Sequence, residues 1–180
     1  MDRSARTARA VAPTRPAIVE SIEAIRRIMR GLRVAAQETR SAVGISAAQH
    51  FVLSALHEHD DQASVSELAE RTMTDRSSVA AVVDRLVEDG LVTRGTAKDD
   101  RRRAAIALTA RGRAVLRRSP EPPTARLIAA LEALPPTRLR ELSGALTALV
   151  SAMGLHHARA GLLFEDTPVR KRPPRAPKRT

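Results

Sequence analysis

Apolar residues recur along most of this chain at intervals of three and four, and the rhythm breaks around residues 91–108. Ile18, Ile22, Ile25, Met29, Leu32 and Ala36 form a stripe that predicts an amphipathic helix from after Pro16 to about Arg40. Gly44 interrupts it. Ser46 offers a hydroxyl to cap a second helix, whose Ala48, Phe51, Val52, Ala55 and Leu56 share a face until the polar run HEHDDQ. Ser64 or Ser66 caps a short third helix with Leu68 and Ala69 inward, and a turn follows at 72–74. Thr74 or Asp75 caps a longer fourth helix, with Val79, Val82, Val83, Leu86 and Val87 inward and Gly90 just beyond its end. Two helices joined by so short a turn predict a helix-turn-helix.

Leu91–Arg94 and the run RAAIAL (103–108) predict two strands around a polar turn, a β-hairpin or wing attached to the helix-turn-helix. Thr109 caps a further helix to about Arg118. The prolines of SPEPP (119–123) interrupt it, because proline removes a donor and clashes with the preceding turn. Leu127, Ile128, Leu131 and Leu134 resume the helical spacing. Pro135-Pro136 open a last helix with Leu139, Leu142, Leu146, Leu149, Val150 and Met153. The expected fold class is mainly α with a small β-hairpin.

Composition narrows the chemistry. Phe51 and Phe164 are the only aromatic residues, so the core is aliphatic. The absence of cysteine excludes disulfides, thiolate nucleophiles, cysteine-based metal sites and cysteine-based oxidant sensing. No stretch approaches about 18 uninterrupted apolar residues, so no membrane span is expected. Residues 1–16 lack the apolar segment of a secretion signal and read as a disordered basic arm. The expected location is cytoplasmic.

The net charge of +11 is unevenly spread. Four arginines and one aspartate give residues 1–16 a charge of +3; four arginines and two lysines give residues 167–180 a charge of +6. Within the body, residues 94–118 hold nine basic and two acidic side chains. A coding bias that favours arginine over lysine, 28 to 3, raises arginine everywhere but does not cluster it. A localised basic patch is the footprint of a nucleic-acid partner.

In a helix-turn-helix the second helix enters the DNA major groove, with its first residues at the base edges. Thr74, Asp75, Arg76, Ser77, Ser78, Ala81 and Arg85 hold those positions here. Arginine binds guanine bidentately, hydroxyls donate or accept, and an alanine methyl touches a thymine methyl. The open amides of the helix start also favour phosphate. Taken alone, the same pattern describes an ordinary surface helix with capping serines. The hairpin tip shifts the balance, because Lys98, Asp100, Arg101, Arg102 and Arg103 gather where a two-stranded scaffold pushes an arginine into the minor groove. Arg94, Arg111, Arg113, Arg117 and Arg118 flank the hairpin as phosphate contacts.

Together, SVSELAERT, DRSSVAAVVDRLVEDGLVTR and DDRRRAAIALTARG resemble the winged-helix regulators of the multiple antibiotic resistance regulator (MarR) family. The family's wing motif, Asp-x-Arg, five residues, then Leu-Thr, is met by Asp100, Arg102, Leu108 and Thr109. The resemblance covers roughly residues 17–157. It implies a homodimer with a helical dimerisation region over 17–44 and 109–158 and a winged helix-turn-helix lobe over 45–108; the Pro/Arg-rich basic tail over 159–180 lies outside it. It also implies Arg102 as the minor-groove arginine set by Asp100, and a small aromatic or phenolic effector that releases DNA. Met29, His50 and His57 are the candidate ligand residues. Two departures stand out: SPEPP breaks the family's long fifth helix, and Ala80 and Ala81 replace larger polar residues.

The expected function is therefore sequence-specific binding of a pseudo-palindromic double-stranded operator, as a homodimeric repressor. The alternatives are a winged-helix protein-interaction module and a ligand-independent architectural DNA-binding module. No cofactor and no metal is expected: His57 and His59 lie two apart and His156 and His157 are adjacent, so neither pair shares a helix face. No enzyme is expected, since the glycines form no phosphate loop and no HExxH or Gly-x-Ser-x-Gly occurs.

Overall fold

The computed structural model describes residues 15–59, 61–96, 104–155 and 161–164. These form seven helices and three strands: α1 (Arg15–Val43), α2 (Ala47–His57), β1 (Gln62–Ala63), α3 (Val65–Arg71), α4 (Arg76–Glu88), β2 (Val92–Thr96), β3 (Ala104–Leu108), α5 (Ala110–Leu116), α6 (Pro123–Glu132) and α7 (Pro136–Ala152). The chain falls into two units, Met1–Val34 and Ala35–Thr180. The first contributes the opening turns of α1, where Ile18, Val19, Ile22, Ile25, Ile28 and Met29 are all exposed.

In the second unit the aliphatic core gathers Phe51, Val52, Leu53 and Leu56 of α2, Leu68 of α3, and Val79, Val82, Val83 and Leu86 of α4. Leu91, Val92, Ile106 and Leu108 close it from the strands. Ser46 and Ser64 each cap their helix in a full capping box, with Gln49 and Glu67 reaching back to the cap amide. Gly90 takes a φ of 68° after α4, the left-handed turn that glycine adopts without Cβ strain. Prolines open α6 and α7 at positions where no intrahelical donor is needed.

Several expectations change. The sheet is antiparallel with order β1-β3-β2, and β1 leaves no mark in the sequence because two residues carry no periodic signal. The strand expected at 91–94 lies at 92–96, paired from Val92 with Leu108 to Thr96 with Ala104. Val87, expected inward, is 36% exposed; Leu86 beside it fills the core. α2 is buried almost all round rather than on one face, because α4, α5 and α6 all pack against it. Leu162, in the segment read as a basic tail, joins the core at 6% exposure, since an apolar side chain precedes the Pro/Arg-rich stretch.

Candidate nucleic-acid interface

α3 and α4 supply the helix-turn-helix. Thr72 closes the end of α3 by donating its hydroxyl to the Leu68 carbonyl at 2.7 Å. Met73 turns the chain at φ 52° and stands 71% exposed. The Thr74 amide returns to the Ala69 carbonyl, and its hydroxyl donates to the Thr72 carbonyl at 2.9 Å. Thr74, a predicted DNA contact, thus has its proton committed to the turn. Together with Ser66, Ala69, Glu70, Asp75 and Arg76, Met73 and Thr74 line an open concavity of ≈ 670 Å³.

Asp75 caps α4. One carboxylate oxygen accepts the Ser77 and Ser78 amides at 3.0 and 3.1 Å and the Ser77 hydroxyl, and the other accepts the Ser78 hydroxyl at 2.8 Å. These bonds hold the Asp75 carboxyl well below the usual carboxylate range, the Ser77 hydroxyl being the largest cause. The expectation that the helix start favours phosphate is corrected here. Two of its amides already face a carboxylate, whose charge opposes a second anion. Arg76, Ser77 and Ala81 are exposed, and Ser78 and Arg85 are half-buried. Arg76, Ser77, Ser78, Ala81 and Arg85 therefore share one helix, with Val79, Val82, Val83 and Leu86 anchoring its opposite face, while Thr74 and Asp75 precede it as turn and cap.

The wing grows from β2 and β3. Lys98, Asp100, Arg101, Arg102 and Arg103 lie outside the described residues. Of the flanking arginines, two are engaged within the protein. Arg94 on β2 pairs with Asp84 on α4, which ties the strand to that helix. Arg113 on α5 donates to Asp61 at 2.8 Å. The sequence pointed to neither partner, since pairs this far apart leave no periodic trace. Arg111, Arg117 and Arg118 are exposed.

Asp61 also accepts His57 Nδ1 at 2.7 Å, and that bond is the first cause holding its carboxyl below its ordinary range. Of the candidate ligand residues, His57 is therefore exposed and partnered, whereas His50 is 2% exposed. Burial pushes the His50 imidazole down to about 4, and its Nδ1 finds no partner among the described residues. Met29 belongs to the first unit. Among the described residues no group of three or more His, Asp or Glu is placed to hold a metal. No helix among them is long and apolar enough to cross a membrane.

Residues 43–103 match the model of the MarR family. No curated protein matches the sequence. Among solved structures, the chain is similar to a MepR-like protein complexed with pseudoligands. That match has 24% identity over 75% of this chain and 95% of the other, with a TM-score of 0.50. It is also similar to the organohalide-sensing regulator RdhR-CbdbA1625 in its 2,4-dichlorophenol-bound form. There the identity is 18% over 91% of this chain and 96% of the other, with a TM-score of 0.52. At these identities both likenesses speak for the fold alone. With the family model lying across the helix-turn-helix and the first strand of the wing, and the winged-helix fold around them, residues 43–103 carry the MarR-family pattern of a DNA-binding winged helix-turn-helix transcriptional regulator.

Proposed function

We propose that the protein is a homodimeric repressor that occupies a pseudo-palindromic operator and leaves it when a small aromatic or phenolic effector binds. The observation that carries the DNA reading is the exposed start of α4, held to the core by its opposite face and braced to β2 through Asp84 and Arg94. α4 enters the major groove, with Arg76, Ser77, Ser78, Ala81 and Arg85 at the bases. Arg102, set by Asp100, enters the minor groove, and Lys98, Arg101 and Arg103 hold phosphates.

The dimer is supported by α7, a 17-residue helix with no buried residue, whose Leu142, Leu146, Leu149 and Val150 are all exposed. Ile18, Ile22, Ile25 and Met29 repeat that pattern on α1. Apolar stripes of this length call for a partner surface, and a second copy supplies an identical one. Two-fold symmetry places the half-sites about one helical turn, 10–10.5 bp, apart. For the effector, Met29, His50 and His57 remain the candidate residues. The uncharged His50 imidazole, whose Nδ1 has no partner among the described residues, suits a phenol or carboxylic acid, and RdhR-CbdbA1625 was solved with a phenol bound. The regulator works in the cytoplasm.

Selection of duplexes from a random pool, followed by mobility-shift titration, tests this reading. A two-fold-symmetric sequence bound by wild type, and bound more weakly by Arg102→Ala with its fold intact, is the expected result. Sequence preference that disappears when residues 1–16 and 167–180 are removed would instead favour a protein-interaction lobe with adhesive tails.

A further inference from the structure

The hydroxyls of Ser77 and Ser78 differ from ordinary serine hydroxyls in one respect: the direction of their hydrogen bonds is already set. Each carries a single proton, and an ionised carboxylate accepts but never donates. Both hydroxyls bond to Asp75, Ser78 at 2.8 Å to one oxygen and Ser77 to the other. Both protons therefore point at Asp75. Toward any other group these oxygens act as acceptors.

In the major groove that polarity carries information. Cytosine N4 and adenine N6 offer protons, whereas guanine N7 and O6 and thymine O4 accept them. We propose that Asp75 is a specificity-determining residue: by taking the Ser77 and Ser78 protons it makes the start of α4 select base edges that carry an amino group, adenine or cytosine, over guanine and thymine. Asp75 needs no base contact of its own. The inference rests on α4 being the major-groove helix, an assignment that comes from the fold and family and not from the helix end.

Asp75→Asn separates capping from polarity. Asparagine caps a helix about as well as aspartate, but its amide has one accepting oxygen where the carboxylate has two. One serine is then released to donate.

The test uses the full chain. A duplex is selected from a random pool with wild-type protein. The half-site is then scanned with analogues that lack a single exocyclic amine, purine for adenine and 2-pyrimidinone for cytosine. Removing one amine is expected to weaken wild-type binding about tenfold at one or two positions per half-site, and to leave the affinity of the Ser77→Ala/Ser78→Ala variant unchanged there. Reselection with Asp75→Asn is expected to admit guanine or thymine at the same positions. If a duplex is selected but no amine matters more to wild type than to the serine variant, the polarity inference is overturned and the DNA reading stands. If Asp75→Asn retains the wild-type preference while circular dichroism shows an unchanged helix content, Asp75 does not set it. If no duplex is enriched at all, the operator reading itself fails, and the inference with it.

Discussion

Gly112 on α5 lies so close to Leu91 that a methyl group on its α-carbon would stand 2.3 Å from the Leu91 carbonyl oxygen and 2.9 Å from Leu108 Cδ1. The same carbonyl accepts the Thr109 amide at 3.1 Å and the Thr109 hydroxyl at 3.0 Å. The Thr109 hydroxyl also lies 2.9 Å from the Gly90 carbonyl, so the start of α5 is docked onto the base of the wing through two adjacent backbone oxygens. A glycine is required there for space, not for an unusual dihedral.

Gly112→Ala should destabilise the protein by about 2–3 kcal/mol, because backbone atoms cannot yield as the end of a side chain can. Urea unfolding followed by circular dichroism measures it. A midpoint equal to wild type would show that α5 shifts without cost.

His50 predicts a pH dependence. Its folded-state pKa, about 4, lies below the ordinary value of 6.5, so the unfolded chain takes up the proton first. Stability from this group is complete above pH 6.5 and falls as the pH drops toward 4, by roughly 3 kcal/mol in all. His50→Leu should remove that slope. It should cost no more than about 1.5 kcal/mol at pH 7.5, since Nδ1 has no partner to lose among the described residues. Comparing urea midpoints of the two proteins at pH 7.5 and pH 5 decides it; parallel pH profiles would assign the dependence to other groups.

Asp84 holds Arg94 in a pair that is half exposed on both sides. Asp84→Asn should therefore change stability by less than about 1 kcal/mol. Its effect belongs to DNA: an Arg94 released from Asp84 is available to a phosphate. Affinity should rise at low salt, and the slope of log affinity against log salt should steepen by about one. Fluorescence anisotropy across a salt series provides the measurement, and an unchanged slope would mean that Arg94 does not reach the DNA backbone.

Leu146 belongs to a helix with no fully buried residue within the described part of the chain. Leu146→Glu should leave thermal stability of the winged lobe intact while converting a dimer to a monomer in sedimentation equilibrium. Operator affinity should then fall on the order of 100-fold, because the second half-site no longer binds within one molecule. A wild-type protein that sediments as a monomer at micromolar concentration would count against the dimer.

Much of this protein was legible in its residue order, and the legible part is the local part. The stripe from Val79 to Leu86, the serines at 46 and 64, the glycine at 90 and the prolines ahead of α6 and α7 act within a few positions of themselves. Helix periodicity and capping are rules about neighbours, so the helix-turn-helix and its place in the chain could be read directly. The tertiary structure decided what joins distant positions. It paired two residues at 62–63 with β3, set Arg94 on Asp84 and Arg113 on Asp61, and brought Leu162 into the core. It also turned Asp75 from a cap into the acceptor of both serine protons. Such contacts depend on where the backbone carries each side chain, and spacing along the sequence holds no record of that.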